Sequence, residues 1–119
     1  MVDRQALGRW GEDLAVRHLQ AAGYEVLARN WRCRVGELDI VARLAGELVF
    51  VEVKTRSSKA YGEPAEAVTP VKARRIHVLA FQWLADHRPP GNHQLRFDVI
   101  SVLRCPPAAP EVLHLKAAF

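Results

Sequence analysis

Two acidic residues and one lysine, carried by neighbouring predicted strands, are the groups whose types and spacing could do chemistry. Asp39 lies in one strand, and Glu52 and Lys54 lie two residues apart in the next. A tight turn centred between Ala45 and Gly46 would place Asp39 opposite Glu52, with Lys54 on the same face of the hairpin. Two carboxylates paired in this way have side-chain roots about 5 Å apart and repel each other by roughly 3 kcal/mol at an effective dielectric of about 20.

Such repulsion is relieved by a shared proton, a neighbouring cation or a bound metal ion, and the metal ion is the option that brings chemistry. Magnesium (or manganese) takes oxygen ligands and is commonly held by one or two carboxylates beside a phosphate. Asp39 and Glu52 are therefore candidate metal ligands and catalytic residues. Lys54 is a candidate catalytic residue that would orient an attacking water or stabilise the charge on a phosphate.

The same residues also have a structural interpretation. In the register that pairs Asp39 with Glu52, Glu37 faces Lys54, and these two side chains would form an ordinary cross-strand ion pair. Asp39 and Glu52 would then be solvated at the end of the sheet. An acid-x-Lys match is a weak signal by itself, because the chain contains 13 Asp and Glu residues and matches of this kind arise by chance.

Further side chains lie on helices that could reach the same end of the hairpin. Glu12, at the edge of the apolar stripe of the first predicted helix, is either a third metal ligand or a solvated glutamate. Lys72, in the first turn of the second helix, either points at the site or extends its amine into solvent. Arg75 lies off the apolar stripe and is either solvated or in contact with phosphate. The basic rim that would bind nucleic acid together with Lys72 and Arg75 comprises Arg29, Arg32, Arg34 and Arg56.

These residues are positioned by elements predicted in the order helix, three strands, helix, strand. This order indicates an α/β fold with a mixed sheet flanked by helices. The helices are predicted at residues 3–22 and from the Thr69-Pro70 cap to about 87, the strands at 24–30, 37–43, 47–54 and 95–103, a polar loop at 55–68 and a last short strand at 111–115. Strand alternation predicts an apolar hairpin face, opposite the carboxylates, made of Leu38, Ile40, Ala42, Val49, Val51 and Val53. Gly8 and Gly11 each cost a helix roughly 1 kcal/mol relative to Ala, which indicates either the close approach of another element or a cost that the helix simply tolerates.

Composition narrows the class of protein. The 119 residues fit one domain, residues 1–119, and half of them are hydrophobic. The net charge of +4 favours a polyanionic partner. No apolar run approaches the roughly 20 residues needed to span a bilayer, so a membrane partner is not expected. Cys33 and Cys105 form no Cys-x-x-Cys motif, which argues against a structural zinc site and a disulfide scaffold and favours a cytoplasmic protein with reduced thiols.

Several motifs, in order along the chain, resemble the YraN-like family of uncharacterised bacterial proteins. The strongest are Gly36-Glu37-Leu38-Asp39-Ile40-Val41-Ala42 and Val49-Phe50-Val51-Glu52-Val53-Lys54-Thr55-Arg56. The others are Gly8-x-x-Gly11-Glu12-x-x-Ala15, Gly23-Tyr24, Arg29-Asn30, Lys72-x-x-Arg75-Ile76 and Arg96-Phe97-Asp98-Val99-Ile100. The resemblance covers about residues 8–102, nearly the whole chain.

That family is in turn similar to the restriction-endonuclease-like superfamily, which includes the archaeal Holliday-junction resolvases. In that superfamily an Asp and a Glu-x-Lys motif bind magnesium and cut phosphodiester bonds. The resemblance implies a restriction-endonuclease-like αβββαβ core. It also carries Glu12, Asp39, Glu52 and Lys54 onto the active-site positions of the superfamily.

Three functional hypotheses remain open from the sequence. The first is a magnesium-dependent DNA endonuclease or resolvase-like enzyme, in which Glu12, Asp39 and Glu52 hold the metal; a resolvase makes two symmetric cuts, which predicts a homodimer. The second is a nucleic-acid binding module of nuclease ancestry without chemistry, whose binding would be steeply salt-dependent but indifferent to magnesium. The third is an interaction protein in which the charged cluster is a structural ion network. The choices between DNA and RNA, and between branched and linear substrates, also stay open.

Overall fold

Two helices and five strands form the part of the chain that the computed structural model describes, residues 3–58 and 68–119. In chain order they are α1 (Arg4–Ala21), β1 (Glu25–Cys33), β2 (Gly36–Leu44), β3 (Glu47–Arg56), α2 (Pro70–His87), β4 (Gln94–Leu103) and β5 (Glu111–Leu115). This order confirms the predicted α/β class with a restriction-endonuclease-like αβββαβ core, to which β5 adds one strand. None of the helices in these two ranges is long and apolar enough to cross a membrane.

The sheet is mixed, with the strands in the spatial order β1-β2-β3-β4-β5. The β3–β4 pair is parallel and the other pairs are antiparallel. Parallel neighbours need a long crossover connection, and here that connection contains α2. Each helix has the N-cap that its sequence favours, because the side chain of Asp3 accepts from Gln5 N and that of Thr69 accepts from Lys72 N.

The helices cover opposite faces of the sheet, so the central strands are buried on both sides. On the α1 face the core includes Ala15, Val16, Leu19, Tyr24, Ile40, Ala42, Val49, Val51, Ile100 and Val102. On the α2 face it includes Leu38, Val41, Leu48, Phe50, Ile76, Leu79, Ala80 and Trp83. Burying each large apolar side chain contributes about 1.5–3 kcal/mol. The apolar run of β3 therefore anchors the strand that carries Glu52 and Lys54.

Two strands are longer than predicted because tertiary pairing overrides local composition. The prediction ended β1 at Asn30, before an arginine-rich stretch, but β1 continues to Cys33 through pairing with Gly36 of β2. The prediction began a polar loop at Thr55, but β3 continues to Arg56 through its parallel pairing with β4. Most of the predicted loop, residues 59–67, lies outside the described residues.

The register predicted for the β2–β3 hairpin is confirmed between the turn and the middle of the strands. Leu44 pairs with Glu47 and Ile40 pairs with Val51, around a two-residue turn at Ala45 and Gly46. Both turn residues have positive φ, 48° and 83°, as this kind of tight hairpin turn requires.

Beyond Ile40 the ladder between β2 and β3 ends, which corrects two predictions. Glu37 does not pair with Lys54; its carboxylate instead lies 3.2 Å from Arg32 Nε across the β1–β2 pair. Asp39 does not continue the backbone ladder opposite Glu52, because its side-chain Oδ2 accepts a hydrogen bond of 2.9 Å from Val53 N. A side-chain carboxylate thus occupies the acceptor position that a backbone carbonyl would otherwise take.

The prediction that Leu38 shares a face with Ile40 is also wrong. Leu38 packs with the α2-side core, whereas Ile40 packs with the α1-side core. Across from the intervening Asp39, on β1, lies Asn30, whose backbone is left-handed with a φ of 52°. A left-handed residue interrupts the regular alternation of a strand, and the hairpin changes face at this point.

The two helical glycines that suggested close approach have different surroundings. A Cβ at Gly11 would collide with the side chain of Thr55 on β3, so the close approach is confirmed there. A Cβ at Gly8 would meet no atom of the described residues within 4 Å, so the prediction of close approach is wrong for Gly8. The absence of a side chain at Gly11 lets α1 lie against the end of β3 and brings the next residue, Glu12, toward it.

Candidate functional site

A pocket of about 580 Å³ opens at the carboxyl end of β3, between the amino-terminal parts of the two helices. All four predicted catalytic residues line it, together with two of the predicted basic residues. They are Glu12 from α1, Asp39 from β2, Glu52, Lys54 and Arg56 from β3, and Lys72 from α2. The structure therefore brings together residues that are as much as 60 positions apart in the sequence.

Asp39 is the most strongly perturbed acid of the pocket. Burial, and next the charge of Glu52, raise the pKa of Asp39 to about 7, although the hydrogen bond from Val53 N opposes this shift. The buried side chain of Asp39 therefore needs either a proton, which removes its charge, or a nearby cation, which stabilises it. The predicted repulsion between Asp39 and Glu52 is present even though the two residues do not form a ladder pair.

Glu52 has a cation of the chain itself as its partner. Lys72 Nζ lies 3.0 Å from Glu52 Oε1, and only 12% of the Glu52 side chain is exposed. Burial raises the pKa of Glu52, while the charge and hydrogen bond of Lys72 act in the opposite direction. Of the two environments considered for Lys72, the structure shows the amine directed at the site.

Glu12 and Asp39 form a group of carboxylates with Glu37, a residue that sequence reasoning assigned elsewhere. One oxygen from each of the three residues lies within 4.8 Å of the others. Burial, and next the charge of Asp39, raise the pKa of Glu12. Glu37 was missed because the hairpin ladder was extended past Asp39 and so paired Glu37 with Lys54. The signal that could have found it is its position beside Asp39 in the motif Gly36-Glu37-Leu38-Asp39.

Asn30 is a second residue of the site that sequence reasoning did not single out. With its amide nitrogen turned toward the carboxylates, Asn30 donates to Glu37 Oε1 at 2.8 Å and to Glu12 Oε1 at 3.1 Å. The amide therefore bridges two acids that would otherwise repel each other. Asparagine tolerates the left-handed backbone better than most residues, which is the only local signal for its role.

The donor set of the pocket fits a hard divalent cation. Glu12, Asp39 and Glu52 line the pocket, and Glu37 lies beside Glu12 and Asp39. All four offer carboxylate oxygens, the ligands that magnesium and manganese prefer. Two of these carboxylates, Asp39 and Glu52, are largely buried, so an added cation would stabilise charge that water cannot fully solvate. The arrangement can hold a metal ion with one side open to the pocket.

Lys54 differs from Lys72 in having no carboxylate partner within residues 3–58 and 68–119. It is exposed at the mouth of the pocket, and no Asp or Glu among the described residues lies within ion-pair distance of its amine. An unpaired ammonium beside a group of carboxylates is suited to an incoming anion such as a phosphate.

The remaining predicted basic residues surround the pocket unevenly. Arg29 is paired with Asp13 at 2.7 Å, and Arg32 is paired with Glu37. Arg56 lines the pocket and donates to Ser101 Oγ at 3.4 Å. Arg34 at the β1–β2 turn and Arg75 on α2 are exposed. The structure thus places Arg56 and Lys72 inside the pocket and leaves Arg34 and Arg75 on the neighbouring surface.

A second charged cluster, toward the amino end of β4, has a different character. Asp98 is fully buried and accepts from Arg96 Nη2 at 2.9 Å and from Ala117 N at 2.9 Å, and its Oδ2 lies 2.7 Å from His114 Nε2. Burial acts against ionisation, but the hydrogen bonds from His114 and Arg96 lower the pKa of Asp98 overall. Because the buried carboxylate of Asp98 is hydrogen-bonded on both oxygens, this cluster holds β5 and the following residues against the sheet.

Comparison with known proteins identifies the family. A profile of the Uncharacterised protein family UPF0102 matches residues 11–102, which include all four residues carried onto the active-site positions. A UPF0102 protein of Nocardia farcinica is 56% identical over 117 residues, covering 98% of this chain and 91% of that protein. A UPF0102 protein of a Parafrankia species is 56% identical over 116 residues, covering 97% of each chain. These matches confirm the resemblance to the YraN-like proteins, and the chain belongs to the uncharacterised family UPF0102.

Proposed function

We propose that this protein is a magnesium-dependent endonuclease of the resolvase-like type, which cleaves phosphodiester bonds in DNA. The observation that carries the proposal is the convergence of Glu12, Asp39, Glu52 and Lys54 on one pocket. Three carboxylates that can hold a metal, with an exposed lysine beside them, are suited to metal-assisted hydrolysis of a phosphodiester. The αβββαβ core is the one that the resemblance to nucleases implies, but a fold alone does not identify an activity.

In this proposal Glu12, Asp39 and Glu52 hold the metal, and Glu37 lies close enough to add an oxygen ligand. The metal, magnesium or manganese, supplies an activated water and stabilises the leaving oxygen when it is bound. Lys54 donates a hydrogen bond to the scissile phosphate or to the attacking water. Asn30 keeps Glu12 and Glu37 in place by donating to both.

The substrate is proposed to be DNA because the charge balance favours a polyanion. The chain carries a net charge of +4, and part of its acidic complement is gathered in the pocket, where a metal would neutralise it. Arg34 and Arg75, both exposed near the pocket, would contact phosphates on either side of the scissile bond. Branched DNA is the substrate that the resolvase version of the proposal requires.

A nucleic-acid binding module without chemistry is the second candidate function. The observation that favours it is the ion pair between Lys72 and Glu52, because one acid of the pocket is already neutralised without a metal. In this version the basic residues bind nucleic acid, and the carboxylates serve to organise the end of the sheet.

One experiment separates the two candidates. Purified protein is incubated with labelled linear, nicked, flapped and four-way DNA and with RNA, in magnesium, in manganese or in a chelator. We expect metal-dependent cleavage by the wild type, and a loss of about 100-fold or more in the Asp39→Asn variant, which keeps the size of the side chain but removes a metal ligand.

The matched control is Asp13→Asn, since Asp13 is an exposed acid on α1 that pairs with Arg29 and does not line the pocket. Cleavage by this control at the rate of the wild type, together with an inactive Asp39→Asn variant, would support the endonuclease. Retained binding without cleavage in any metal would favour the binding module. Equal cleavage by wild type and Asp39→Asn would refute the proposed site.

A further inference from the structure

The cation nearest to the buried carboxylates comes from α2 and is held in place by the helix start. Lys72 lies in the first turn of α2, and its backbone N–H donates to Oγ1 of the N-cap residue Thr69 at 3.2 Å. Its amine reaches Glu52 Oε1 at 3.0 Å. The backbone of Lys72 is thus fixed within the first turn of α2, while its four-carbon side chain keeps rotational freedom.

The exposure of the two partners is unequal, and this inequality decides what the ion pair can do. The Glu52 side chain is 12% exposed, whereas the Lys72 side chain is 40% exposed. Glu52 therefore depends on a partner for its charge, because water reaches it poorly. The Lys72 amine can move into the open pocket and be solvated without any change in the fold.

In the proposed function Glu52 is a metal ligand, so a divalent cation would compete for the carboxylate that Lys72 now contacts. A metal ion and an ammonium group repel each other at a shared carboxylate, so the binding of one to Glu52 weakens the binding of the other. We propose that Lys72 is an internal counter-ion that stabilises Glu52 in the metal-free protein, is displaced from Glu52 by the divalent cation, and is then available to bind a phosphate of the substrate. This inference rests on the proposed function for the identity of the cation and of the substrate.

The first test is the affinity of the whole protein for Mn²⁺ without nucleic acid, measured by titration calorimetry. The Lys72→Met variant keeps the side-chain length but removes the charge, so we expect it to bind Mn²⁺ about tenfold more tightly than the wild type. Lys72→Arg keeps the competing charge and should bind Mn²⁺ as the wild type does. The matched control is Arg74→Met, which removes an exposed positive charge from the same helix turn without touching the pocket.

The thermal stability of the same proteins gives an independent readout. Without metal, Lys72→Met leaves the buried Glu52 without its cation and with Asp39 as its hydrogen-bond partner, so its melting temperature should fall below that of Arg74→Met. Mn²⁺ should then raise the melting temperature of Lys72→Met more than that of the wild type. An unchanged or weaker Mn²⁺ affinity in folded Lys72→Met would overturn the proposal, as would the absence of Mn²⁺ binding to every variant.

The release of Lys72 toward a phosphate is tested by duplex-DNA affinity with Ca²⁺ and with a chelator. Because Lys72 is occupied by Glu52 only in the metal-free protein, the loss of DNA affinity caused by Lys72→Met should be greater in Ca²⁺. An equal loss in both conditions would refute the release step. None of the three readouts requires cleavage, so an inactive protein with tighter Mn²⁺ binding in Lys72→Met would refute the endonuclease but support the counter-ion.

Discussion

Asp39, like Glu12 and Glu52, has a raised pKa that makes the pocket sensitive to pH. Its pKa of about 7 lies well above the usual value of 3.8, because of burial and next because of Glu52. Between pH 3.8 and about pH 7, Asp39 keeps its proton in the folded protein but has released it in the unfolded chain. The stabilising effect of this proton is therefore lost as the pH rises through about 7. A metal ion must displace the same proton.

We therefore expect the affinity for Mn²⁺ to increase from about pH 6 to about pH 8 and to be accompanied by proton release. Calorimetry in buffers of different ionisation enthalpy measures both quantities. In Asp39→Asn the group that titrates is gone, so the remaining affinity should depend less on pH. A pH-independent affinity in the wild type would contradict the assignment of Asp39 as a metal ligand.

Gly11 and Gly8 offer a matched pair of substitutions on α1. Gly11→Ala places a methyl group against the side chain of Thr55, so we expect a loss of about 1–3 kcal/mol in the free energy of unfolding. Gly8→Ala meets no such neighbour and should instead stabilise the helix by up to about 1 kcal/mol. Urea unfolding of both variants checks the prediction. Similar effects of the two substitutions would show that Thr55 can move aside.

Among the elements, β5 depends most on a single buried acid. Asp98 on β4 receives bonds from Arg96, from the backbone of Ala117 and from His114 of β5. Asp98→Ala would leave Glu47, 3.1 Å from Arg96, as the remaining carboxylate partner of Arg96 among the described residues. Breaking a buried pair such as Arg96–Asp98 costs about 3–5 kcal/mol. Asp86→Ala, an exposed acid on α2, is the control and should change stability by no more than about 0.5 kcal/mol.

Hydrogen exchange locates the effect, because the amides of β5 should lose protection in Asp98→Ala before those of β2 and β3 do. Uniform loss of protection across the sheet would instead mean that the cluster supports the whole fold equally. The earliest loss of protection should be confined to β5, because the residues of this cluster do not line the carboxylate pocket.

In the β2–β3 hairpin, the sequence predicts the register near the turn but not the change of face farther along the strands. Its register followed from the turn at Ala45 and Gly46, because a two-residue loop fixes which residues pair. The change of face at Leu38 depends on the left-handed backbone of Asn30 in a different strand. Strand alternation contains no information about such a residue, so Glu37 was assigned to the wrong partner.

At the level of the whole molecule, the fold and the membership of the pocket could be predicted because several motifs agree in order along the chain. Glu12, Asp39, Glu52 and Lys54 were identified from the sequence, and all of them line the pocket. What could not be predicted is which acids share a cation. That depends on contacts between distant elements, such as the one between Lys72 and Glu52.

Oligomeric state is the property of the whole molecule that tests the resolvase version of the proposed function. Two symmetric cuts in a four-way junction require two pockets related by a two-fold axis. We expect sedimentation velocity to show a dimer, either of the free protein or of its complex with four-way DNA. A monomer under both conditions would restrict the proposal to an endonuclease that makes single cuts.

The parallel pairing of β3 with β4 determines when the pocket can form during synthesis. Every residue of the pocket named above has been made once the ribosome has passed Lys72, but at that stage β3 is still the edge of a three-stranded sheet. The strand that pairs with Glu52 and Lys54 is β4, which follows the whole of α2. The nascent chain therefore carries these acidic groups before the neighbouring strand is available, and the pocket cannot reach its final form until the carboxyl-terminal third of the protein has emerged.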